Sequence, residues 1–245
     1  MSTLKETQAE AKMQEMFDRI AFRYDFLNSF LSMNRDKAWR KHLIRMLPQV
    51  PAGTLLDVAC GTGEVVLEAI RQKVPFSRFI AVDISIEMLA VFQKKRLESH
   101  PPIEIHQMNA DELLLPDQCV DCITIAFGFR NVQNSHKALL EFKRVLKPNG
   151  TLLVLDFFKP HNTLFSKFFL FYFHHILPKI GGLLSDRKAY AYLPKSVESF
   201  GTMAQLEGTL VEAGFRVGQK KSFMFGSCQI ITGSVSLCKE LSEKL

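Results

Sequence analysis

The sequence lacks the patterns that mark disulfide-rich, metal-binding or exported proteins. Its five cysteines form an odd count, and the C-x-x-C pair at Cys119 and Cys122 has no second pair or histidine partner nearby. The opening segment MSTLKETQAEAKMQEMF contains three glutamates and no apolar run, which is not typical of a secretory signal or an organellar presequence. We therefore expect a cytoplasmic protein with reduced thiols and no bound metal.

Long uninterrupted apolar runs are also missing. The segment LFSKFFLFYFHHILPKIGGLL, residues 164–184, contains six aromatic residues in its first ten positions, but a lysine, a proline and a glycine pair interrupt it. A membrane-spanning helix needs about 20 mostly apolar residues, so no transmembrane helix is predicted. The segment instead predicts an apolar surface that must be covered by something.

The composition is that of a globular protein with one large domain. Hydrophobic residues make up 47% of the 245 positions and charged residues 23%. The formal charge of +6 is spread thinly along the chain, so it does not by itself indicate a nucleic-acid partner, and we expect none.

Short apolar runs alternate with helical patterns, which is typical of a parallel sheet covered by helices on both faces. The predicted strands cover residues 54–59, 78–84, 103–109, 120–127 and 150–158. A final helix, at about 198–213, and a closing hairpin follow. We predict an α/β fold with a doubly wound, mostly parallel, seven-stranded Rossmann-like sheet, N-terminal helices and an inserted aromatic-rich helical segment.

The predicted organisation is a single domain over residues 1–245. Within it we expect four parts: a helical lid at 1–50, a cofactor-binding core at 51–158, a hydrophobic helical insertion at 159–197, and the final helix and hairpin at 198–245.

The first strand runs into the loop DVACGTGEVV, where Gly61 and Gly63 allow a tight turn and close approach of the backbone to a ligand. Asp83 ends the second strand, where a carboxylate can accept hydrogen bonds from both hydroxyls of a ribose. Because ligands bind beyond the carboxyl ends of the strands in such sheets, these residues predict a nucleoside-binding half-site.

The loop favours S-adenosylmethionine over a dinucleotide. Val66 stands where the dinucleotide fingerprint requires Gly or Ala, and Glu64 in the first helical turn would repel pyrophosphate but suits ammonium and sulfonium charges. Asn109 and Ala110, after the third strand, are predicted to lie along the adenine edge. A helix-capping turn is the alternative interpretation of those two residues.

Five segments taken together carry a more specific signal: FDRIAFRYDFLN, LLDVACGTG, AVDIS, MNADELLLPDQCVDCITIAFGFRNV and ALLEFKRVLKPNGTLLVLDFFKP. They resemble the class I methyltransferases that C-methylate the ring of ubiquinone and menaquinone precursors. The resemblance runs from about Met16 to Gly233, and its most specific part is FGFRNV followed by LKPNG. It implies cofactor contacts for Thr62, Asp83 and the Asn109-Ala110 pair, and it implies that Asp57 supports the loop.

Three positions depart from the family pattern. Ala126 replaces a serine near the FGFRN motif, which puts one cofactor hydrogen bond in doubt. Asp36 and Ile231 replace two histidines, whose roles therefore cannot be transferred to this chain.

The resemblance also implies a polyprenyl quinol as substrate, demethylmenaquinol or a methoxybenzoquinol, and contact with the inner face of the cytoplasmic membrane. Phe165, Phe168, Phe169 and Tyr172 have i, i+3, i+4, i+7 spacing and form one apolar helical face. Residues that could meet headgroups at its edge are Lys167, Lys179, Arg187 and Lys188. The predicted substrate-binding residues are Tyr24, Phe165, Phe169 and Tyr172. This face could instead pack on the sheet or form a homodimer.

The candidate catalytic residues are Arg130 and Asn131, which directly follow the fourth strand. Methyl transfer to an aromatic carbon requires an electron-rich ring, and a fixed cation or donor stabilises the phenolate that supplies the electron density. A loop salt bridge with an asparagine turn is the alternative. Asp156, or a water held by Arg130, is the candidate base, and Tyr24 with Asp25 is assigned to the lid.

Other functions fit the sequence less well. Methyltransferases of nucleic acids carry N/D-P-P-Y or Pro-Cys motifs, whereas FGFRN stands in their place here. An NAD oxidoreductase is disfavoured by Val66. A methyltransferase for another lipid or small aromatic acceptor, or a catalytically silent lipid-binding assembly subunit, stays open.

Overall fold

A computed structural model of the chain describes residues 2–159 and 187–235. Two helices open it, α1 (Ser2–Leu31) and α2 (Arg35–Arg45). The strands are β1 (Gly53–Val58), β2 (Phe76–Asp83), β3 (Ile103–Gln107), β4 (Val120–Ala126), β5 (Leu146–Phe157), β6 (Arg216–Phe223) and β7 (Cys228–Ser234). The other α-helices are α3 (Glu64–Arg71), α4 (Ile86–Lys95), α5 (Ser135–Val145), α6 (Arg187–Phe200) and α7 (Met203–Glu212).

The strands form one seven-stranded sheet in the order β3-β2-β1-β4-β5-β7-β6. Pairings among β1 to β5 are parallel, and β7 runs antiparallel to both β5 and β6. The predicted doubly wound, mostly parallel sheet is confirmed. The order reverses between β1 and β4, and a ligand site is expected beyond the carboxyl ends of the strands at such a point.

The apolar strands are buried on both faces because side chains alternate along a strand. In β5, Leu152 and Val154 join one hydrophobic cluster, with α5 and α7, while Leu153 and Leu155 join the other, with α2 and α3. This explains the near-continuous apolar runs in the sequence.

Helix α1 lies over the carboxyl edge of the sheet. Met16, Ile20, Ala21 and Leu27 are buried in a third cluster that includes Met88 of α4. The long helix therefore packs against loops and helices that border the expected ligand site.

Two local predictions differ from the structure. Strand β5 begins at Leu146 and not at the predicted residue 150, because Leu146 already pairs with Val120 of β4 before the register shift that precedes the pairing of Thr151 with Cys122. The predicted final helix is two helices, since the Thr202 side chain caps a new one by accepting from the Gln205 N–H at 3.4 Å. Helix α6 also begins inside the segment predicted as the insertion.

Within the described ranges, no helix combines the length and apolarity that crossing a membrane requires. The same part of the chain contains no group of three or more His, Cys, Asp or Glu that could hold a metal ion.

Candidate active site

The loop between β1 and α3 depends on two glycines with positive φ, +54° at Gly61 and +80° at Gly63. A Cβ atom on Gly63 would overlap the ring of Phe92, which is fully buried. The backbone at Gly63 therefore packs directly on α4, and the same residue is the N-cap of α3.

Asp83, at the end of β2, links the loop between β1 and α3 to the loop between β2 and α4 through hydrogen bonds. Its Oδ2 accepts from the Gly61 N–H at 2.7 Å and its Oδ1 from the Ser85 N–H at 2.8 Å. Burial raises the pKa of the Asp83 carboxyl to about 6, against the lowering effect of these two N–H groups. Each carboxylate oxygen has a second lone pair, so the group can still accept hydroxyl hydrogen bonds.

One cleft joins the ends of four neighbouring strands. Of the residues predicted to contact the cofactor, Gly61, Asp83, Asn109 and Ala110 line it. Asn131 lies in the same cleft, and the inner face of α1 closes it. Other lining residues are Met13, Phe17, Tyr24, Ala59, Ile84, Met88, Met108, Ala126, Phe127, Gly128, Val132 and Gln133. The structure thus brings four of the seven predicted cofactor residues and one predicted catalytic residue to this cleft, while Asp57 and Thr62 lie with Gly61 around a smaller adjoining cavity.

Asp57 lies under the glycine loop with half of its carboxylate unpaired. Its Oδ1 accepts from the Thr124 hydroxyl at 2.7 Å, but its buried Oδ2 has no hydrogen-bond partner among the described residues. Burial raises the pKa of Asp57 to about 7, opposed by the Thr124 hydrogen bond and the charge of Arg40. A cationic donor at this side of the loop could therefore supply the hydrogen bond that Oδ2 does not receive from the described residues.

Thr62 faces α1 in this structure. Its hydroxyl donates to Asp25 Oδ1 at 2.6 Å, and Lys95 Nζ donates to Asp25 Oδ2 at 2.5 Å, to Glu64 Oε1 at 2.8 Å and to the Thr62 carbonyl at 3.2 Å. We call Asp25, Thr62, Glu64 and Lys95 the α1 latch. Lys95 was missed by sequence reasoning, because nothing in a lysine at the end of a helix indicates a partner 70 positions away.

Arg130 and Asp156 form a buried ion pair beside the cleft. Arg130 Nη1 donates to Asp156 Oδ1 at 2.6 Å and to the Phe127 carbonyl at 2.5 Å, and the Arg130 N–H donates to Asp156 Oδ2 at 3.0 Å. The Phe157 N–H also donates to Asp156. Neither Arg130 nor Asp156 lines the cleft, which Asn131 does. Asp156 is fully buried and both of its oxygens accept hydrogen bonds, which favours a positioning role over the predicted role as base.

Two tyrosines surround the candidate catalytic pair. The Tyr192 hydroxyl donates to Asn131 Oδ1 at 3.2 Å, and burial raises the pKa of Tyr192 against the lowering effect of Arg130. Burial likewise raises the pKa of Tyr24, with Arg130 and Arg40 opposing. Tyr192 was missed from the sequence because its helix is separated from the FGFRN motif by about 60 residues.

The three departures from the family pattern have distinct environments. Asp36 accepts from Arg40 Nη1 at 2.6 Å and from the Ser32 hydroxyl at 2.8 Å, so it fixes the start of α2. Ile231 is buried in the sheet opposite Val154. Ala126 lines the cleft without offering a hydrogen bond.

The aromatic residues predicted to bind substrate, Phe165, Phe169 and Tyr172, lie outside the described residues, as do Phe168, Lys167 and Lys179. Arg187 and Lys188 belong to α6, but their side chains are not described. Tyr24 is therefore the one predicted substrate-binding residue with a known position.

Comparisons of the sequence with known proteins agree on one family. A sequence model of the ubiE/COQ5 methyltransferase family matches residues 4–234. The ubiquinone/menaquinone biosynthesis C-methyltransferase UbiE of Syntrophotalea carbinolica is 42% identical over 222 residues, covering 91% of this chain and 93% of that protein. The demethylmenaquinone methyltransferase of Thermus thermophilus is 38% identical over 221 residues, covering 89% and 99%.

Solved structures support the fold alone. A SAM-dependent methyltransferase from Aquifex aeolicus superposes with a TM-score of 0.58 at 21% identity, covering 80% of this chain and 89% of that one. The [4+2]-cyclase SpnF superposes with a TM-score of 0.65 at 15% identity, covering 92% and 95%. Since a cyclase shares the architecture, the activity must be inferred from the site and the close relatives.

Proposed function

We propose, from the premise that this chain belongs to the ubiE/COQ5 methyltransferase family, that it transfers a methyl group from S-adenosylmethionine to a ring carbon of a polyprenyl quinol. The acceptors would be demethylmenaquinol, which gives menaquinol, and 2-polyprenyl-6-methoxy-1,4-benzoquinol, which gives its 3-methyl form. Relatives at 38–42% identity carry names that include one or both pathways. The observation that carries the proposal is the single cleft that contains Asp83, Asn109 and Asn131.

The residues of the cleft fit this cofactor. Asp83 would accept the ribose hydroxyls, and Asn109 with Ala110 would border the adenine. The unpaired oxygen of Asp57 fits the ammonium group of the methionine moiety, since a cation there would satisfy a buried carboxylate. Gly61, Thr62 and Gly63 supply the loop. When bound, S-adenosylmethionine supplies an electrophilic methyl group.

Arg130 and Asn131 are the groups we assign to the acceptor ring. Among the described residues, hydrogen bonds occupy Nε and Nη1 of Arg130 and Oδ1 of Asn131. Nη2 of Arg130 and the Asn131 amide N–H groups remain as donors toward a quinol oxygen. A free phenol has a pKa of about 10, and a fixed guanidinium beside the hydroxyl favours its ionised form.

Asp156 holds Arg130 in place. Two hydrogen bonds from Arg130 to the Asp156 carboxylate, one from its backbone N–H and one from Nη1, fix both ends of the arginine, and the Phe157 N–H holds the carboxylate. We therefore assign the transferred proton to a water molecule held by Arg130, in preference to Asp156.

We further propose that residues 1–50 act as a lid on a core at 51–158, with 159–197 as the insertion that receives the acceptor and 198–245 as the closing segment. The enzyme would contact the inner face of the cytoplasmic membrane peripherally, because a polyprenyl tail stays in the bilayer while the ring enters the cleft.

Transfer of radiolabelled methyl from S-adenosylmethionine to each acceptor, offered separately in detergent, tests the function. Labelling of one acceptor names the pathway, and labelling of both indicates a pocket that reads the shared hydroxyl and prenyl groups. If neither acceptor is labelled while calorimetry still shows cofactor binding, the quinol assignment is wrong and another lipid acceptor takes its place. Loss of cofactor binding as well would revive the silent-subunit alternative.

Two variants separate the role of Asp83 from that of Arg130. Asp83→Ala should abolish cofactor binding. Arg130→Ala combined with Asp156→Asn, which avoids leaving an unpaired buried charge, should lower turnover roughly 100-fold or more with little change in cofactor affinity. Arg144→Ala is the matched control, since Arg144 binds the carboxylates of Glu141 and Asp117 outside the cleft. Equal loss of cofactor binding in the Asp83 and Arg130 variants would refute this division.

A further inference from the structure

The outer face of α1 carries Phe22, Phe26 and Phe30, and Met33 follows in the turn after the helix ends at Leu31; we define these four residues as the aromatic stripe. Spacings of four residues bring the three phenylalanines to one face of the helix. The four stripe residues are exposed at 72%, 65%, 51% and 69%, and the rings of Phe26 and Phe30 stack with centroids 6.1 Å apart. Contiguous exposed apolar side chains of this kind mark an interaction surface.

Basic side chains border the stripe. Arg19 and Arg23 are exposed three residues before Phe22 and Phe26, so they lie on the same face. Lys94 of α4 lies over the Phe22 ring, 5.2 Å from its centroid. Further exposed basic residues near the two ends of the stripe are Lys12, Arg35 and Lys37. Glu15, on the same face, pairs with Arg19 at 2.8 Å, so these two charges offset each other. The acidic residues beside Phe26 and Phe30 include Asp25, Glu64 and Glu68, which are half-buried or buried and paired with Lys95 or Arg71. The exposed charged residues of the border are therefore predominantly basic.

The opposite face of α1 forms a wall of the cleft. Met13, Phe17 and Tyr24 line the cleft, while Leu27 is buried. The helix is therefore apolar on two sides, and a surface that binds the stripe lies one helix diameter, about 10 Å, from the cofactor site.

We propose that the aromatic stripe docks α1 onto an anionic lipid bilayer, with the phenylalanine rings among the headgroups and the basic border against lipid phosphates. Aromatic residues together with a predominantly positive border are the chemistry that such an interface binds. The stripe belongs to a different part of the sequence from residues 164–184, for which membrane contact was predicted. The proposal rests on the proposed function in that docking beside the cleft would bring a lipid-tailed acceptor to its entrance.

Flotation of the full chain with vesicles tests the docking. Vesicles of phosphatidylcholine and phosphatidylglycerol in equal parts are compared with phosphatidylcholine alone. Phe26→Ser combined with Phe30→Ser removes the centre of the stripe, and Leu140→Ser combined with Val211→Ser is the matched control, because these residues are exposed at 47% and 60% elsewhere. The stripe variant should bind anionic vesicles at least about tenfold more weakly than the control variant.

Three results would overturn the proposal. They are equal vesicle binding by the stripe and control variants, equal binding to neutral and anionic vesicles with no weakening by salt, and a dimer in sedimentation that only the stripe variant loses. The last result would assign the stripe to a second copy of the chain. Salt-sensitive binding to anionic vesicles that the stripe variant loses would support the proposal.

The outcome is independent of the reaction because the vesicles contain no quinol. A quinol with a short, water-soluble side chain provides the second readout, since both variants should methylate it at the unsubstituted rate if α1 remains folded. Failure of methyl transfer with normal vesicle binding would refute the proposed function and leave the docking surface in place.

Discussion

The strand-end wall of the cleft is held by steric fit and buried backbone hydrogen bonds, whereas the wall formed by α1 is held by side-chain contacts that water partly reaches. At the strand ends, Gly63 packs on a buried ring and Asp83 binds two backbone N–H groups. On the α1 side, Asp25 and Lys95 keep side-chain exposures of 34% and 27%.

This difference indicates that the two walls have different roles: the strand-end wall positions the cofactor and the α1 wall can open. The closely packed strand-end wall fixes where the cofactor binds, because a close-packed protein interior has low compressibility. A wall held by a few ion pairs can open at small cost, since partly exposed salt bridges each contribute about 1 kcal/mol or less. The α1 latch therefore suits a lid, and the following predictions test the contrast.

The largest effect is expected at Gly63. Gly63→Ala places a Cβ on the buried Phe92 ring and strains a backbone with positive φ. The free energy of unfolding, measured by chemical denaturation, should therefore fall by about 2–4 kcal/mol. Gly61→Ala is the matched control, because its Cβ meets no atom within 4 Å and it should cost only about 1–2 kcal/mol. Equal losses would show that backbone strain dominates and steric fit does not.

An intermediate effect concerns the pH dependence of cofactor binding. In the free protein Asp57 keeps its proton up to a pKa of about 7, and only the ionised carboxylate pairs with an ammonium group. The cofactor should therefore bind roughly tenfold more tightly as pH rises from about 6 to about 8, measured by calorimetry. Asp57→Asn should weaken binding and flatten this dependence above pH 7, where Asp83, with a pKa of about 6, is already ionised.

The same shift has the opposite consequence for the empty protein. Because the folded pKa of Asp57 lies above its unfolded value of 3.8, its contribution to stability is complete below pH 3.8 and is lost as pH rises through about 7. The unfolding temperature of the cofactor-free Asp57→Asn variant should therefore lack the fall with rising pH that the Asp57 carboxyl causes in the unsubstituted protein. A wild-type affinity that does not change across this range would contradict the assigned partner of Asp57.

The smallest effect is expected at the latch. Lys95→Ala should cost about 1 kcal/mol or less of global stability but should raise hydrogen exchange in α1 selectively, with cofactor affinity reduced a few-fold. Lys220→Ala is the matched control, because Lys220 pairs with Glu207 at 2.9 Å and is half exposed. Uniform changes in exchange across α1 and β1 would show that the latch belongs to the rigid wall.

Much of the strand-end wall was predictable from the sequence. The glycine loop, Asp83 and the Asn109-Ala110 pair follow strands whose apolar runs are visible locally, and parallel strands bring their carboxyl ends to one edge. The sequence was less informative about Asp156, since a carboxylate at a strand end gives the same signal whether it faces a ligand or an arginine.

The α1 side was predictable only as helix. The latch joins Asp25 to Lys95 across 70 positions, and the contact of Tyr192 with Asn131 spans 61. Neither contact leaves a local pattern. The aromatic stripe was also hidden, because α1 has apolar residues on both faces and a helical period cannot tell which of them meets the sheet.

The sequence alone determined the strand periodicity, the positive-φ loop and the family of the chain, because backbone sterics and side-chain alternation act between near neighbours. Only the tertiary structure decided that one Asp57 oxygen has no hydrogen-bond partner among the described residues, that Asp156 holds Arg130 and that Phe26 faces outward. Side-chain burial and hydrogen-bond pairing depend on which elements, distant in sequence, pack together. The strand order β3-β2-β1-β4-β5-β7-β6 determines those contacts.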